Sequence, residues 1–210
     1  MNVHTVTVGL IATNCYIAYS GKHGVVIDPG FEADRILNEA TMLGVKIEYI
    51  MITHGHFDHI MAVNELKKLT GALVAAGKGE RERMQSADKS AATAMHMARR
   101  FTPVTADIEV SDRDKIQVAD MTFEFIATPG HTDGGMCIIC EDAIFSGDTL
   151  FRDVCGRCDL DGGNFEEMME SLKRLYMLEG DYRVFPGHGD ETTLERERKS
   201  NMYMAEAIGK

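Results

Sequence analysis

The run Thr53-His54-Gly55-His56-Phe57-Asp58-His59 sets four potential metal ligands within six consecutive positions. Imidazole nitrogens and carboxylate oxygens are donors that zinc, iron and manganese all accept. Crowding such groups is costly without a shared partner, because each must be desolvated with its donors and acceptors satisfied. The cluster therefore points to bound metal. In an extended segment residues two apart share a side, so His54 and His56 can reach one ion; a bend into a helix then turns Asp58 and His59 toward a second. Three further groups have a similar setting: His131 in Thr128-Pro-Gly-His-Thr132, Asp148 in Ser146-Gly-Asp-Thr149 and His188 in Phe185-Pro-Gly-His-Gly189. Each follows a strand-like run beside Gly or Pro, where a rigid scaffold meets a loop.

The elements that must position these groups alternate. Val3 to Val8, Asn14 to Tyr19 and Val25 to Asp28 read as strands, with a turn at Ser20 to Gly24. Asp34 to Leu43 places Ile36, Leu37, Ala40 and Leu43 at helical spacing and stops at Gly44. Ile47 to Thr53 suits a buried strand, Ile60 to Leu69 a helix ended by Gly71, and Leu73 to Ala76 a short strand. Gly79 to Arg100, Met-rich and charged with few turn residues, predicts a helix. Lys115 to Val118, Met121 to Ala127, Met136 to Cys140 and Ala143 to Phe145 predict strands joined by short polar turns. Phe165 to Leu178 carries an apolar stripe, Tyr182 to Phe185 is the last strand, and Thr192 to Ala207 the last helix. Consecutive strands without intervening helices favour two sheets flanked by helices over a doubly wound parallel sheet.

A chain of 210 residues with 44% hydrophobic residues supports one domain, residues 1–210, with a sizeable core. The net charge of −11 repels phosphate-rich partners, so nucleic acid is not expected as a substrate. Met1 to Tyr19 lacks the basic and apolar regions of a signal peptide, and no stretch approaches the roughly 20 apolar residues of a membrane span. The expectation is a cytoplasmic protein without a membrane partner, monomeric or a small homo-oligomer.

Cys137-Ile-Ile-Cys140 and Cys155-Gly-Arg-Cys158 have the spacing of a zinc knuckle. On a strand, however, residues three apart face opposite sides, so Cys137 and Cys140 cannot easily grip one ion. Ordinary buried cysteines are the expectation. Cys155 and Cys158, in a Gly-containing loop, could instead form a redox pair. The odd total of five cysteines argues against a disulfide framework.

Taken together, the T-H-x-H-x-D-H run, a later His, an Asp and a final His resemble the metallo-β-lactamase superfamily. Within it, the stretches Gly147-Asp-Thr-Leu-Phe151, Gly156 to Gly163, Val184 to Gly189 and Glu197-Arg-Lys-Ser-Asn201 look like bacterial glyoxalase II-like hydrolases. The resemblance implies a four-layer αββα sandwich of the α/β class and a binuclear metal site. It assigns His54, His56 and His131 to metal one, Asp58, His59 and His188 to metal two, and Asp148 to both. It also implies two divalent ions per chain, zinc foremost with iron or manganese acceptable, and a small-molecule thioester as substrate.

Two departures bear on specificity. Glyoxalase II proper carries an additional C-terminal helical portion that helps bind glutathione, and this chain ends before it. Arg157 can stand for the basic residue that holds substrate there, but Asp159 occupies the place of a tyrosine.

Two ions about 3.5 to 4 Å apart can share a water, lower its pKa and present hydroxide to a carbonyl that one of them polarises. Asp58 would ligate metal two and orient that hydroxide, which makes it the candidate catalytic residue. The rival reading is a persulfide dioxygenase of the same fold, which resembles this pattern with one iron on the His56, His131 and Asp148 positions.

Overall fold

The computed structural model describes residues 1–210. The first sheet contains β1 (Asn2–Val8), β2 (Thr13–Ser20), β3 (His23–Ile27), β4 (Lys46–Ile52), β5 (Leu73–Gly77) and β6 (Ile108–Val110), in that spatial order. The first three pair antiparallel, and β3 through β6 pair parallel. The second sheet contains β7 (Lys115–Val118), β8 (Met121–Ala127), β9 (Met136–Cys140), β10 (Ala143–Gly147), β11 (Arg183–Pro186) and β12 (Thr192–Thr193), in reverse order across the sheet. Only β10 and β11 pair parallel there.

Alternation along the strands sends side chains to two cores at once. Between the sheets lie Tyr16, Ile27, Met51, Phe123, Phe125, Phe145 and Phe185. On the outer face of the first sheet, Ile17, Val26, Ile50 and Ile52 pack against α1 (Ala33–Met42) and α3 (Val63–Thr70) through Ile36, Val63 and Leu66. On the outer face of the second, Ile126, Ile144 and Val184 meet α5 (Phe165–Tyr176) and the C-terminal helices through Met168, Leu172, Leu194 and Met204. The result is the expected four-layer αββα sandwich of two mixed sheets.

Cys137 belongs to the outer core of the second sheet and Cys140 to the inter-sheet core, so the two thiols do face apart. Burial pushes both thiols up to about 11. Cys155 and Cys158 are half-buried free thiols beside the outer core of the second sheet.

Three helical expectations are corrected. Between Gly79 and Arg100 only a 3-10 turn (Lys78–Glu80) and α4 (Arg81–Gln85) are helical; the rest folds as successive turns. Ala91 and His96 take left-handed φ values of 63° and 58°, which interrupt a helix, and the Ser90 carbonyl accepts from Phe57 N at 2.9 Å. Its backbone serves the metal-ligand run instead of a helix. The helix expected at Ile60 to Leu69 begins earlier, as α2 (Phe57–Ile60), and restarts as α3 after Ala62 N donates to the Pro29 carbonyl at 3.0 Å. The last helix divides into α6 (Leu194–Ser200) and α7 (Met202–Ala207), because Asn201 leaves the helical region and its side chain accepts from Tyr203 N and Met204 N as an N-cap.

Candidate metal centre

Strand ends from both sheets converge on one point. His54 and His56 follow β4, Asp58 and His59 sit on α2, His131 follows β8, Asp148 follows β10 and His188 follows β11. One ligand atom from each of His54, His56 and His131 falls within a 4.8 Å cluster, and Asp58, His59 and His188 form a second cluster of the same span. His56 Nδ1 and His131 Nε2 stand 2.9 Å apart, as donors do when they converge on one ion. Asp148 lies between the clusters: Oδ1 is 3.5 Å from His59 Nε2, and Oδ2 is 3.5 Å from His131 Nε2 and 3.6 Å from His188 Nε2. All seven ligand positions predicted from the sequence are therefore brought together.

These residues fit divalent ions on a separate observation. His54 Nε2, His59 Nε2 and Asp148 Oδ1 are buried with no hydrogen-bond partner within the protein. Buried polar atoms left unpaired are costly, and a shared cation satisfies several at once.

Electrostatics divides the centre. Burial, reinforced by His131, pushes the His56 imidazole down to about 2, and burial with His59 holds His54 well below its ordinary value. Both are neutral rings with lone pairs to offer. Burial also opposes charge on His59, but Asp58 and Asp148 outweigh it and raise His59 well above the ordinary range. Asp58 is held well below the carboxylate range, because His59 and His188 outweigh its burial. Positive charge is thus favoured among Asp58, Asp148 and the neighbouring rings, which is what a second cation requires.

The groups behind the ligands fix their orientation. His131 Nδ1 donates to the Arg157 carbonyl at 2.7 Å, leaving Nε2 for the centre. His59 Nδ1 donates to Asp28 Oδ2 at 3.0 Å. Thr53 donates through Oγ1 to the same oxygen at 2.5 Å and through its main-chain N to Oδ1 at 2.8 Å, while Oγ1 accepts from His54 Nδ1 at 3.1 Å. Asp28 adopts a φ of 52°, a conformation that turns its carboxylate back from the end of β3 toward both histidines.

The first hairpin supports the other side. Thr13 Oγ1 donates to Asp58 Oδ2 at 3.0 Å, Asn14 Nδ2 donates to the carbonyls of Pro186 and Gly189, and Tyr16 OH donates to Pro186 O at 2.6 Å. Gly187 permits the approach of the last loop, since a Cβ there would lie 2.1 Å from Asp148 Oδ1.

Asp28, Thr13, Asn14 and Tyr16 were not singled out from sequence. Asp28 alone had a usable signal: it is a carboxylate at a strand end before Pro29-Gly30, the same setting as His131 and His188.

Arg157 lies in the adjoining loop, but its guanidinium is more than half exposed and paired in two-bonded geometry with Asp159, Nε to Oδ1 at 2.7 Å and Nη2 to Oδ2 at 2.8 Å. A cleft of about 540 Å³ is bounded by Leu10, Ile11, Phe31, Phe57, Met95 and Met97, and Phe57 lies between His56 and Asp58 in the sequence. No helix is long and apolar enough to cross a membrane.

The family model described as the Metallo-beta-lactamase superfamily matches residues 8–188. The chain is 29% identical to the hydroxyacylglutathione hydrolase GloC of Haemophilus influenzae, over 97% of this chain and 98% of that protein. Among solved structures it resembles TTHA1623 in a di-iron-bound form, with a TM-score of 0.85 and 32% identity over 95% of this chain and 99% of that one. It also resembles the BLEG-1 B3 metallo-beta-lactamase, with a TM-score of 0.88 and 28% identity over 97% of this chain and 99% of that one.

Proposed function

The chain belongs to the metallo-beta-lactamase superfamily, and from that membership we propose that it is a dinuclear metal-dependent hydrolase of small acyl thioesters. The observation that carries the reading is the pair of donor clusters, His54/His56/His131 and Asp58/His59/His188, with Asp148 within reach of both. The rival mononuclear iron centre on His56, His131 and Asp148 shares this pattern; the second cluster, oriented by Asp28 and Thr13, favours two ions, and metal content with oxygen uptake separates the readings.

Two divalent ions held there supply Lewis acidity and a water of lowered pKa, and zinc, iron or manganese suits the nitrogen and oxygen donors. The chain supplies the rest. Asp58 is buried and ionised, with Oδ2 held by Thr13 Oγ1 and 3.3 and 3.2 Å from His59 and His188 Nε2, and its carboxylate can orient an attacking water. No serine or cysteine nucleophile is needed, and the cleft lined by Leu10, Ile11, Phe31 and Phe57 offers apolar contact for an acyl group. The similarity to GloC supports a thioester. The protein acts on a small molecule as a cytoplasmic monomer or small homo-oligomer in this reading.

Hydrolysis of acyl-glutathione and a second small thioester, measured with zinc-, iron- and manganese-loaded protein, tests it. Asp58→Asn should lower the rate by at least about a hundredfold, the size of a lost general base. A β-lactam such as that implied by the BLEG-1 likeness should be a poor substrate. Rapid oxygen uptake with glutathione persulfide, and no thioesterase activity in any metallated form, would overturn the proposal.

A further inference from the structure

Glu80 ends the 3-10 turn after β5, and its side chain is fully buried. A carboxylate there is tolerated only if its oxygens are well served. Oε2 accepts from Gly55 N at 2.7 Å, while Oε1 accepts from Thr132 Oγ1 at 2.6 Å and Gly134 N at 3.1 Å. Gly55 stands between His54 and His56, and Thr132 follows His131. One carboxylate therefore ties together two loops that come from different sheets and carry the complete first donor cluster.

The tie is itself held. Arg83, also buried, brings its positive charge beside Glu80, with Nε 3.1 Å from Oε2 as an ion pair without hydrogen-bond geometry, and donates through Nη2 to Asp133 Oδ1 at 2.7 Å. Its Nη1 donates to the carbonyls of Asp161 and Lys89 at 2.8 and 2.9 Å. None of these contacts reaches Asp58, His59 or His188, which rest on Thr13, Asn14 and Asp28 instead.

We propose that Glu80 is a positioning residue for the first metal: it sets the spacing between the His54–His56 loop and the His131 loop, and so the affinity and geometry of that ion alone. A carboxamide in its place has one acceptor oxygen and one NH₂ group. Whichever way it turns, a donor faces the N–H of Gly55 or the donors of Thr132 and Gly134, and one loop loses its anchor.

The inference rests on the two-ion reading, so the experiment separates the two. Metal-free wild type, Glu80→Gln and His54→Ala are titrated with Zn²⁺ against a competing chelator, and with Co²⁺ followed by its visible spectrum. The wild-type stoichiometry tests the two-ion reading by itself. Glu80 is judged by the ion that His54→Ala also weakens: in Glu80→Gln its affinity should fall about 10- to 100-fold, the range for lost partners behind a ligand, with an altered Co²⁺ spectrum. The other ion should be unchanged. Equal losses at both sites, or none at the first, overturn the proposal. Should Glu80→Gln fail to fold, Thr132→Val removes one contact to Oε1 and should give a smaller loss confined to the same ion; loss spread over both ions, or no loss, would count against Glu80.

Discussion

His131 Nδ1 donates to the main-chain carbonyl of Arg157 at 2.7 Å, so the loop that follows Asp148 meets the centre through its backbone. The neighbouring Gly156 explains how it comes so close: a Cβ there would lie 1.8 Å from the Asp148 carbonyl oxygen and 3.3 Å from His131 Nδ1. Gly156→Ala must push the loop outward and break the bond that fixes the His131 tautomer. Metal affinity should fall about 10- to 100-fold. Arg157→Ala, which keeps the carbonyl, should retain the wild-type metal content by elemental analysis. If Gly156→Ala binds metal as tightly as wild type, the backbone brace has no role.

Asp148 and His188 separate the two clusters. Because Asp148 approaches His59, His131 and His188 alike, Asp148→Ala should lose both ions, whereas His188→Ala removes one donor of the second cluster and should empty mainly that site. Metal analysis after dialysis against limiting chelator distinguishes them. A wild-type content fixed at one iron per chain would contradict the dinuclear reading.

Acidity acts on the metal-free protein with two opposite signs. His54 and His56 are held below the ordinary imidazole value by burial, His56 down to about 2. Below about pH 6.5 the unfolded chain gains protons that the fold refuses at these rings, so stability falls as pH drops. His59 is raised, with Asp58 and Asp148 overcoming its burial, so its contribution is complete below about pH 6.5 and lost as pH rises through its folded value. The melting temperature of chelator-treated protein should therefore peak near pH 6.5 and decline on both sides. His56→Asn should flatten the acid limb. A melting temperature that climbs steadily from pH 7 to pH 5 would rule this out.

Much of this centre was legible because ligand chemistry is dense in local sequence. His54 to His59 announces itself within six positions, and His131, Asp148 and His188 each follow a strand beside Gly or Pro. Ten of the twelve strands also followed from alternation and turn residues, whereas the short β6 is missed and Thr192–Thr193 reads as part of the last helix; the opposed settings of Cys137 and Cys140 followed from strand geometry. What escaped was long-range. Asp28 reads locally as a turn carboxylate, and Glu80 as one acid in a charged stretch, because their partners lie 25 or more positions away in Thr53, His59, Gly55 and Thr132. The turns beyond Gln85 escaped for a similar reason: residues with adequate helix propensity spend their backbone groups on tertiary contacts such as Phe57 N to Ser90 O.

Arg157 poses the remaining question, since a carboxylate already occupies its guanidinium fork. Asp159 sits there in two-bonded geometry, and both side chains are exposed, so water screens the pair and a substrate carboxylate can replace Asp159. Such a contact lies away from the reacting carbonyl and is equally strong in ground and transition states. Removing it should raise KM and leave kcat nearly unchanged. Arg157→Ala should then weaken kcat/KM toward carboxylate-bearing thioesters about 10- to 100-fold, the size of a lost hydrogen bond to a charged group, and leave an uncharged thioester untouched. Asp159→Asn weakens the occupant of the fork and should lower KM for the carboxylate-bearing substrate. In an Arg157→Ala background the same change should do nothing, because the group competed for is gone. If both substrates suffer equally in Arg157→Ala, or its melting temperature falls with them, Arg157 and Asp159 only brace the loop that carries the carbonyl to His131.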